Sequence, residues 1–408
     1  MEQIKYFTAL PPEERPSPDT VTYFLSLLTK NQSALTEIHG ETGIEGLKID
    51  FCCGLRLQIP PGNWQVTVRD GETGTLVFNE TVSAVRLESL EKYYLPWVVE
   101  IKRDGIPVFR HVFEPTGQEV AAYFLHRAMG DVLAILPYVR AFKEKHRANI
   151  KLILPEYLRE MATRLYPDLP QGESISSDAY AVFYLGAWRT KLASPADSRL
   201  YPLGEYGGTM LGILRRAPWP RFYSQQPRPV PEKYVCIAVQ ASTLYKSWHC
   251  PGGWEAVVDY LKGRGYRVFC IDRHYYQEEN GLKAYCPHNA EDFTGDKSIM
   301  ERAEMLYHAA FFLGVSSGLA WIAHSVGCPV VIISGISEPW YEFYTPYRVI
   351  NQRVCHGCLN DAQNAFNASS CPRHGGTPRE LECSKNITVS MVLSAVEELI
   401  QDLPKGGQ

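Results

Sequence analysis

No stretch of the chain approaches the ~18–20 consecutive apolar residues that a bilayer-spanning helix needs, and the opening residues, MEQIKYFTALPPEERPSPD, hold no basic segment followed by an apolar core. Neither a membrane span nor an export leader is therefore expected, and a cytoplasmic location is. Long runs of Lys and Arg are missing too. With 41 basic against 45 acidic residues and a formal net charge of -4, the chain carries no footprint for a phosphate backbone, so nucleic acid is not an expected partner. Without a leader, eleven cysteines read better as free thiols or metal ligands than as a disulfide framework.

What is present suffices for more than one core: 408 residues, 45% of them hydrophobic, suggest two or three domains. Residues 1 to about 20, rich in Pro and acidic groups, read as a loose arm, and residues 20–38 allow a helix. From residue 43 to about 115 the pattern has period two around Pro-Pro-Gly, Asp-Gly and Arg-Asp-Gly turns, which predicts a small antiparallel β domain with nothing catalytic in it. After residue 117 short apolar strands alternate with helical segments: AAYFL, the loop HRAMGD, the helix VLAILPYVRAFKEKH, then IKLILP and AVFYLG. A Pro- and Arg-rich stretch at 215–232 reads as an interdomain linker. Beyond it YVCIAVQ, WEAVVDYLKGRG, YRVFCID, SIMERAEMLYHA, FFLGV, GLAWIAHSVG and PVVIISG give the strand-helix order of a doubly wound lobe, with a last helix at about 389–403. The expected class is α/β with two Rossmann-like lobes: 1–115 a β-rich region, 116–228 a first lobe, and 229–408 a second lobe interrupted by a cysteine-rich insertion at 351–384.

Four constellations carry chemistry. In GVSSGLAWIAHS an apolar strand runs into Ser316, Ser317, Gly318 and Leu319 at a helix start, where N–H groups, the dipole and two hydroxyls suit a pyrophosphate. A simply capped helix fits the same residues. Ser242, Thr243 and Lys246 follow strand YVCIAVQ at the edge where open α/β sheets bind ligands, and a lysine there neutralises a departing diphosphate; the alternative is a solvated loop lysine. Asp131, at the start of the helix after HRAMG, is placed to take a proton from a hydroxyl across a cleft, although aspartate also complements helix dipoles. Lastly, Cys355-x2-Cys358-x12-Cys371-x11-Cys383 offers four sulfurs with short intervening loops, as a tetrahedral zinc or iron site requires. Such a closed site would staple a loop and leave the chemistry to other residues. Leu359 rather than His follows the CHGC pair, so haem attachment is not indicated. The other seven cysteines read as core residues.

From about residue 117 onward these motifs resemble the ADP-heptose-using glycosyltransferases of family 9, which have the GT-B fold of two facing Rossmann-like lobes. Within them the chain looks most like the bacterial autotransporter heptosyltransferases, which O-glycosylate adhesin passenger domains on serine. Three features point to that subgroup: Ser316-Ser317-Gly318-Leu319-Ala320-Trp321 stands where the lipopolysaccharide enzymes have Asp-Ser/Thr-Gly-x-x-His, the cysteine finger is inserted before the last helix, and a β-rich region precedes the first lobe. The resemblance implies Asp131 as general base, Lys246 on the diphosphate, Ser316 to Leu319 at the diphosphate-binding helix start, and iron (Fe3+) rather than zinc on the four cysteines. It further implies a ring-shaped homo-oligomer, a dodecamer. No Asp-x-Asp pair is present, so the scheme requires no catalytic divalent ion. Two other readings remain open at this stage: the same transfer to a lipopolysaccharide core, and a non-catalytic metal-binding scaffold.

Overall fold

The computed structural model describes residues 4–30, 37–124, 128–364 and 370–404. Between residues 64 and 112 the period-two segments form a four-stranded antiparallel sheet in the order Leu76–Val82, Trp64–Asp70, Trp97–Arg103, Ile106–Val112. Trp64, Val66 and Val68 alternate with more exposed polar residues, as do Val99 and Ile101 on the neighbouring strand, so one face is dry. Asp104 (φ 51°) and Gly105 (φ 81°) join the last two strands, both with the positive φ of a two-residue type I′ turn.

That sheet is as the sequence predicts, but the rest of the N-terminal region does not stand apart. Ile4–Phe7, Val85–Ser89, Arg56–Ile59 and Lys48–Cys52 continue, in that order, into Ala181–Leu185, Glu119–Phe124 and Asn149–Ile153 as one mixed seven-stranded sheet. The junction is a parallel pairing of Phe51 with Ala181 and Cys52 with Val182. The expected boundary at 115/116 therefore falls within a single sheet. Pairing between segments so far apart leaves no trace in local periodicity, which is why the pattern alone did not reveal it.

Nor do the first residues form a loose arm. Ile4–Phe7 lies parallel to Val85–Ser89, and the wholly buried Glu91 accepts hydrogen bonds from Thr8 Oγ1 (2.5 Å) and the N–H groups of Ala9 (2.8 Å) and Leu10 (3.3 Å). Phe7 reaches across to Phe78 (5.3 Å) and Trp97 (6.2 Å), joining the two sheets. The helix sought at 20–38 is Pro18–Lys30; residues 1–3 of the arm and 31–36 of that stretch lie outside the described residues.

The second half is a six-stranded parallel sheet: Glu291–Asp292, Arg267–Cys270, Tyr234–Ala238, Phe312–Val315, Val330–Ile333, Arg348–Val349. In chain order this is 3-2-1-4-5-6, and the winding reverses between Tyr234–Ala238 and Phe312–Val315, where the loops leaving the two strands diverge and open a crevice. Both of those strands are buried along their whole length, as strands covered on both faces are. An antiparallel hairpin, Tyr276–Glu279 with Leu282–Tyr285, is added after the second strand, and Val389–Asp402 closes the chain behind a Thr388 cap.

Residues 215–232 pack rather than dangle: Ala217, Phe222 and Val230 are buried, and the Trp219 ring lies 6.0 Å from Trp321. A single apolar core runs from Phe7 through Leu133 and Trp188 to Tyr234, Trp321 and Phe343, so the two halves share packing, while a second core belongs to the C-terminal half alone. Because Phe7 is 6% exposed and bridges two sheets, Phe7→Ala is expected to cost about 3–5 kcal/mol. A drop in thermal midpoint matching that of a truncation removing residues 1–10 is the expected result, and an unchanged midpoint would restore the loose arm.

Candidate functional site

A cleft of about 920 Å³ opens between the two halves. Its first wall carries Asp131, Arg189 and Arg199, and its second carries Ser242, Lys246 and the turn from Ser316 to Leu319. The topology explains the second wall: Tyr234–Ala238 and Phe312–Val315 are hydrogen-bonded neighbours on either side of the winding reversal, so both motifs leave their strands at the same point.

The turn after Phe312–Val315 is more specialised than a capped helix. Ser317 is the N-cap of Gly318–Ser325, yet its hydroxyl makes no capping bond. Its Oγ is buried and, among the described residues, has no hydrogen-bond partner. Elsewhere the same chain caps conventionally: Ser298 accepts from Glu301 N in a full capping box, and Thr388 accepts from Met391 N. An orphaned buried hydroxyl costs about 1–3 kcal/mol unless a ligand completes it. Together with the free N–H groups of the first turn, it makes a place for an anion.

Ser316 has another task. Its hydroxyl donates to the Glu342 carboxylate, which also accepts from Ser337 Oγ (2.9 Å) and pairs with Arg348 (2.9 Å), with both members of the pair almost wholly buried. Only the backbone of Ser316 is available to the cleft. Thr243 likewise does not line it: at 1% exposure its Oγ1 accepts from Tyr245 N (3.3 Å), capping the turn Leu244–Lys246, and donates to Glu279 (3.2 Å). Lys246, carried by that turn, is half-buried and makes no ion pair among the described residues; Arg273 and Lys297, further along the wall, are exposed and make none within 4 Å among them either. The cleft thus holds cations in excess of the anions built to meet them.

Asp131 is the third residue of the helix Met129–His146. Burial pushes the phenols of Tyr206 and Tyr341 well above their ordinary range, and the Asp131 carboxylate adds to both shifts. Tyr341 belongs to the other half, and both it and Asp131 line the cleft. His126 and Arg127 of the preceding loop lie outside the described residues.

Two glycines let the halves meet here. A Cβ on Gly130 would fall 2.9 Å from Trp321 Cδ1 and 3.0 Å from its Nε1, and one on Gly318 would fall 2.9 Å from Met129 Sδ. Neither has positive φ; close approach alone demands glycine at both. Trp321 is held against Phe343 (5.0 Å, 81°) as well as Trp219, so it cannot easily give way.

Asp272 was not singled out in the sequence. It follows strand Arg267–Cys270, is 2% exposed, and accepts from the N–H groups of Val239 (2.7 Å) and Gln240 (3.3 Å), which begin the Lys246 loop. Burial raises its pKa to about 7, against those bonds and the nearby Arg302. Arg302 is itself spent on backbone carbonyls of Ile271 (2.8 Å), Asp272 (3.0 Å) and Gly295 (2.9 Å). The available signal was an acid at the carboxyl end of a parallel strand.

Away from the cleft centre, Cys355, Cys358, Cys371 and Cys383 form no disulfide. Burial pushes Cys358 up to about 11 and Cys383 up to about 12, and in Cys383 all three other sulfurs add to the shift, so the four lie together. Cys355, His374 and Glu382 also bring ligand atoms within 4.8 Å of one another, but Glu382 is committed to Arg379 (2.6 Å) and the Cys355 N–H (3.0 Å). Residues 365–369 of this segment lie outside the described residues.

Residues 218–368 match the family described as glycosyltransferase family 9 (heptosyltransferase), and residues 43–105 match the N-terminal domain of glycosyltransferase TibC. The chain is 35% identical to the autotransporter heptosyltransferase Aah of Escherichia coli, covering 87% of this chain and 93% of that protein. It is 34% identical to BimC of Burkholderia thailandensis, described as an inactive autotransporter heptosyltransferase, over 88% of this chain and 87% of that one. Among solved structures it is similar to TibC from enterotoxigenic E. coli, an iron-containing dodecameric glycosyltransferase, with 31% identity and a TM-score of 0.87 over 90% of this chain and 99% of that one. A second TibC structure, in complex with ADP-D-beta-D-heptose, aligns with a TM-score of 0.86 and 32% identity over the same shares.

Two outcomes follow from the packing between the two halves. Gly130→Ala places a methyl on the Trp321 indole and is expected to destabilise by about 1–3 kcal/mol; the double variant Gly130→Ala/Trp321→Phe should recover part of the thermal midpoint. His324, stacked on Phe343 (4.1 Å, 7°), has its pKa pulled down to about 4 by burial and then by Arg216. Below its unfolded value of about 6.5 the unfolded chain binds a proton that the folded chain refuses, so stability is flat above that pH and falls as pH drops towards 4. His324→Phe should flatten that slope in melts taken between pH 7 and pH 4.5.

Proposed function

The chain belongs to the autotransporter heptosyltransferases of glycosyltransferase family 9, and from that premise we propose that it moves heptose from ADP-heptose to serine hydroxyls of an autotransporter adhesin passenger domain. In this reading the two halves are the facing lobes of a GT-B enzyme, with 116–228 on the acceptor side, 229–408 holding the nucleotide-sugar, and 1–115 a β-rich region joined to the first. Reaction and nucleotide-sugar share the cytoplasm; among the described residues no helix is long and apolar enough to cross a membrane. The observation that carries the reading is the meeting in one cleft of a carboxylate from the first half, Asp131, with an unpaired Lys246 and an orphaned Ser317 hydroxyl from the second.

The transfer is a single displacement with inversion. Asp131 accepts the proton of the acceptor hydroxyl as its oxygen attacks the anomeric carbon, and the bond from that carbon to the diphosphate breaks on the opposite face. Lys246, the Ser317 hydroxyl and the N–H groups of Gly318 and Leu319 take up the negative charge that gathers on departing ADP. Ser242 borders the same space, Ser316 contributes through its backbone, and Thr243 acts by shaping the Lys246 turn.

TibC is iron-containing and dodecameric; by analogy this chain holds iron, with zinc as the alternative, on Cys355, Cys358, Cys371 and Cys383, and assembles as a ring of its own copies. The fit is supported by the donor set: four sulfurs lie clustered, the other three adding to the reluctance of Cys383 to ionise, and a cation that takes the protons' place relieves it. Bound there, the metal supplies a structural cross-link.

BimC, an inactive relative of nearly the same identity as Aah, means that membership alone does not settle activity; the reading is supported by the cleft residues Asp131, Lys246 and Ser317. The test is the intact mass of a co-expressed autotransporter passenger in cells making ADP-heptose. Wild-type protein is expected to add heptose units, and Asp131→Ala to lose them while melting normally, because base assistance is worth ~10²–10⁴-fold. Addition by the Asp131 variant at the wild-type level would remove the base from the scheme; absence of addition by either protein would move the chain to another acceptor or to the company of BimC.

A further inference from the structure

We propose that the four-cysteine segment is a strut that holds both walls of the cleft, so that its metal sets the geometry of the nucleotide-sugar site from a distance. This rests on the reading of the four cysteines as a metal site.

On the first wall the contact is Asn360, two residues beyond Cys358. Its Nδ2 donates to the carbonyl of Arg199 (2.9 Å), its Oδ1 accepts from Glu338 N (2.9 Å), and the Arg199 guanidinium returns a bond to the carbonyl of Ala362 (2.9 Å). Arg199 lines the cleft and is fixed at its other end by Asp197 (2.5 Å). Leu359, between Cys358 and Asn360, lines the cleft itself. On the second wall the contact is Ser384, directly after Cys383. Its hydroxyl donates to the carbonyl of Ser247 (2.6 Å) and accepts from His249 N (2.9 Å), while the His249 ring bonds to the carbonyl of Leu244 (2.8 Å). These bonds bracket Lys246 on both sides. Each of the two buried cysteines thus stands within two residues of the side chain that grips a wall.

Among the described residues the segment is held mainly by polar contacts, such as Arg373 with Asp361 (2.6 Å) and with the carbonyl of His356 (2.7 Å), and has little apolar packing. Its own apolar cluster comprises Ile336, Cys358 and Cys383, with Leu359 against it. A loop with so small a core leans on a cross-link to fix its shape. When the metal leaves, Asn360 and Ser384 lose their fixed origin, and both walls loosen together although neither contains a ligand.

The full-length protein, as isolated and after chelation, is compared by metal analysis, hydrogen exchange and calorimetric titration with ADP. Chelation should raise exchange in residues 197–203 and 244–249 together, leave the antiparallel sheet at 64–112 unchanged, and weaken ADP binding. Asn360→Ala and Ser384→Ala should keep the metal content of the wild type while loosening only the first and only the second segment, each by the factor of about 2–10 that one hydrogen bond is worth. Metal-free protein with wild-type exchange in both segments overturns the strut, as does local silence in both variants. Protein that neither contains nor takes up iron or zinc overturns the metal site on which the proposal stands, and is told apart by the metal analysis alone.

Discussion

The site depends on one steric constraint: two helices from different halves begin against each other, each lodging a side chain of the other, Trp321 and Met129, where Gly130 and Gly318 have none. Helix starts carry partial positive charge, so this approach sets like poles face to face. Packing of Trp321 on Gly130 and Met129 on Gly318 holds them there. Asp131, in the first turn of one helix, offsets part of the conflict; the other helix has no acid in its first turn and an uncapped Ser317. An anion placed between the two helix starts offsets the rest.

The second half anchors that arrangement with buried charge. Glu342, in the loop before the last strand, and Arg348, at the start of that strand, gather Ser316 and Ser337 into one network. Removing charges from water is expensive, and a buried pair is tolerated where its hydrogen bonds are complete. Here the completed bonds fix the direction of the turn that leads into Gly318, which a greasier contact would not specify.

Much of this was legible in the sequence because parallel strands are short, uniformly apolar and followed by their loops. YVCIAVQ and FFLGV named the two central strands, and the residues after them, Lys246 and Ser317, are where the cleft is. What failed did so for physical reasons. The side chains of Ser316 and Thr243 were read as facing a ligand when they bond to Glu342 and Glu279, partners 26 and 36 residues away. Asp272 was passed over inside YRVFCID because nothing local says that its carboxylate reaches back to Val239. The boundary near 115 was drawn at a change of period, whereas strand pairing between residues 51 and 181 ignores period altogether.

That last feature has a bearing on how the protein comes into being. Ala181–Leu185 sits inside its sheet, between Lys48–Cys52 and Glu119–Phe124, so each of those two strands waits with an unsatisfied edge until it is made. A chain emerging from the ribosome can close its antiparallel sheet early, but the seven-stranded sheet stays open until residue 185 is free. The six-stranded sheet needs no such delay for its first three strands, which pair as they arrive. Translation speed through roughly the first half of the message, and the chaperones that meet it there, should therefore govern the yield of active enzyme more than events at the C-terminus.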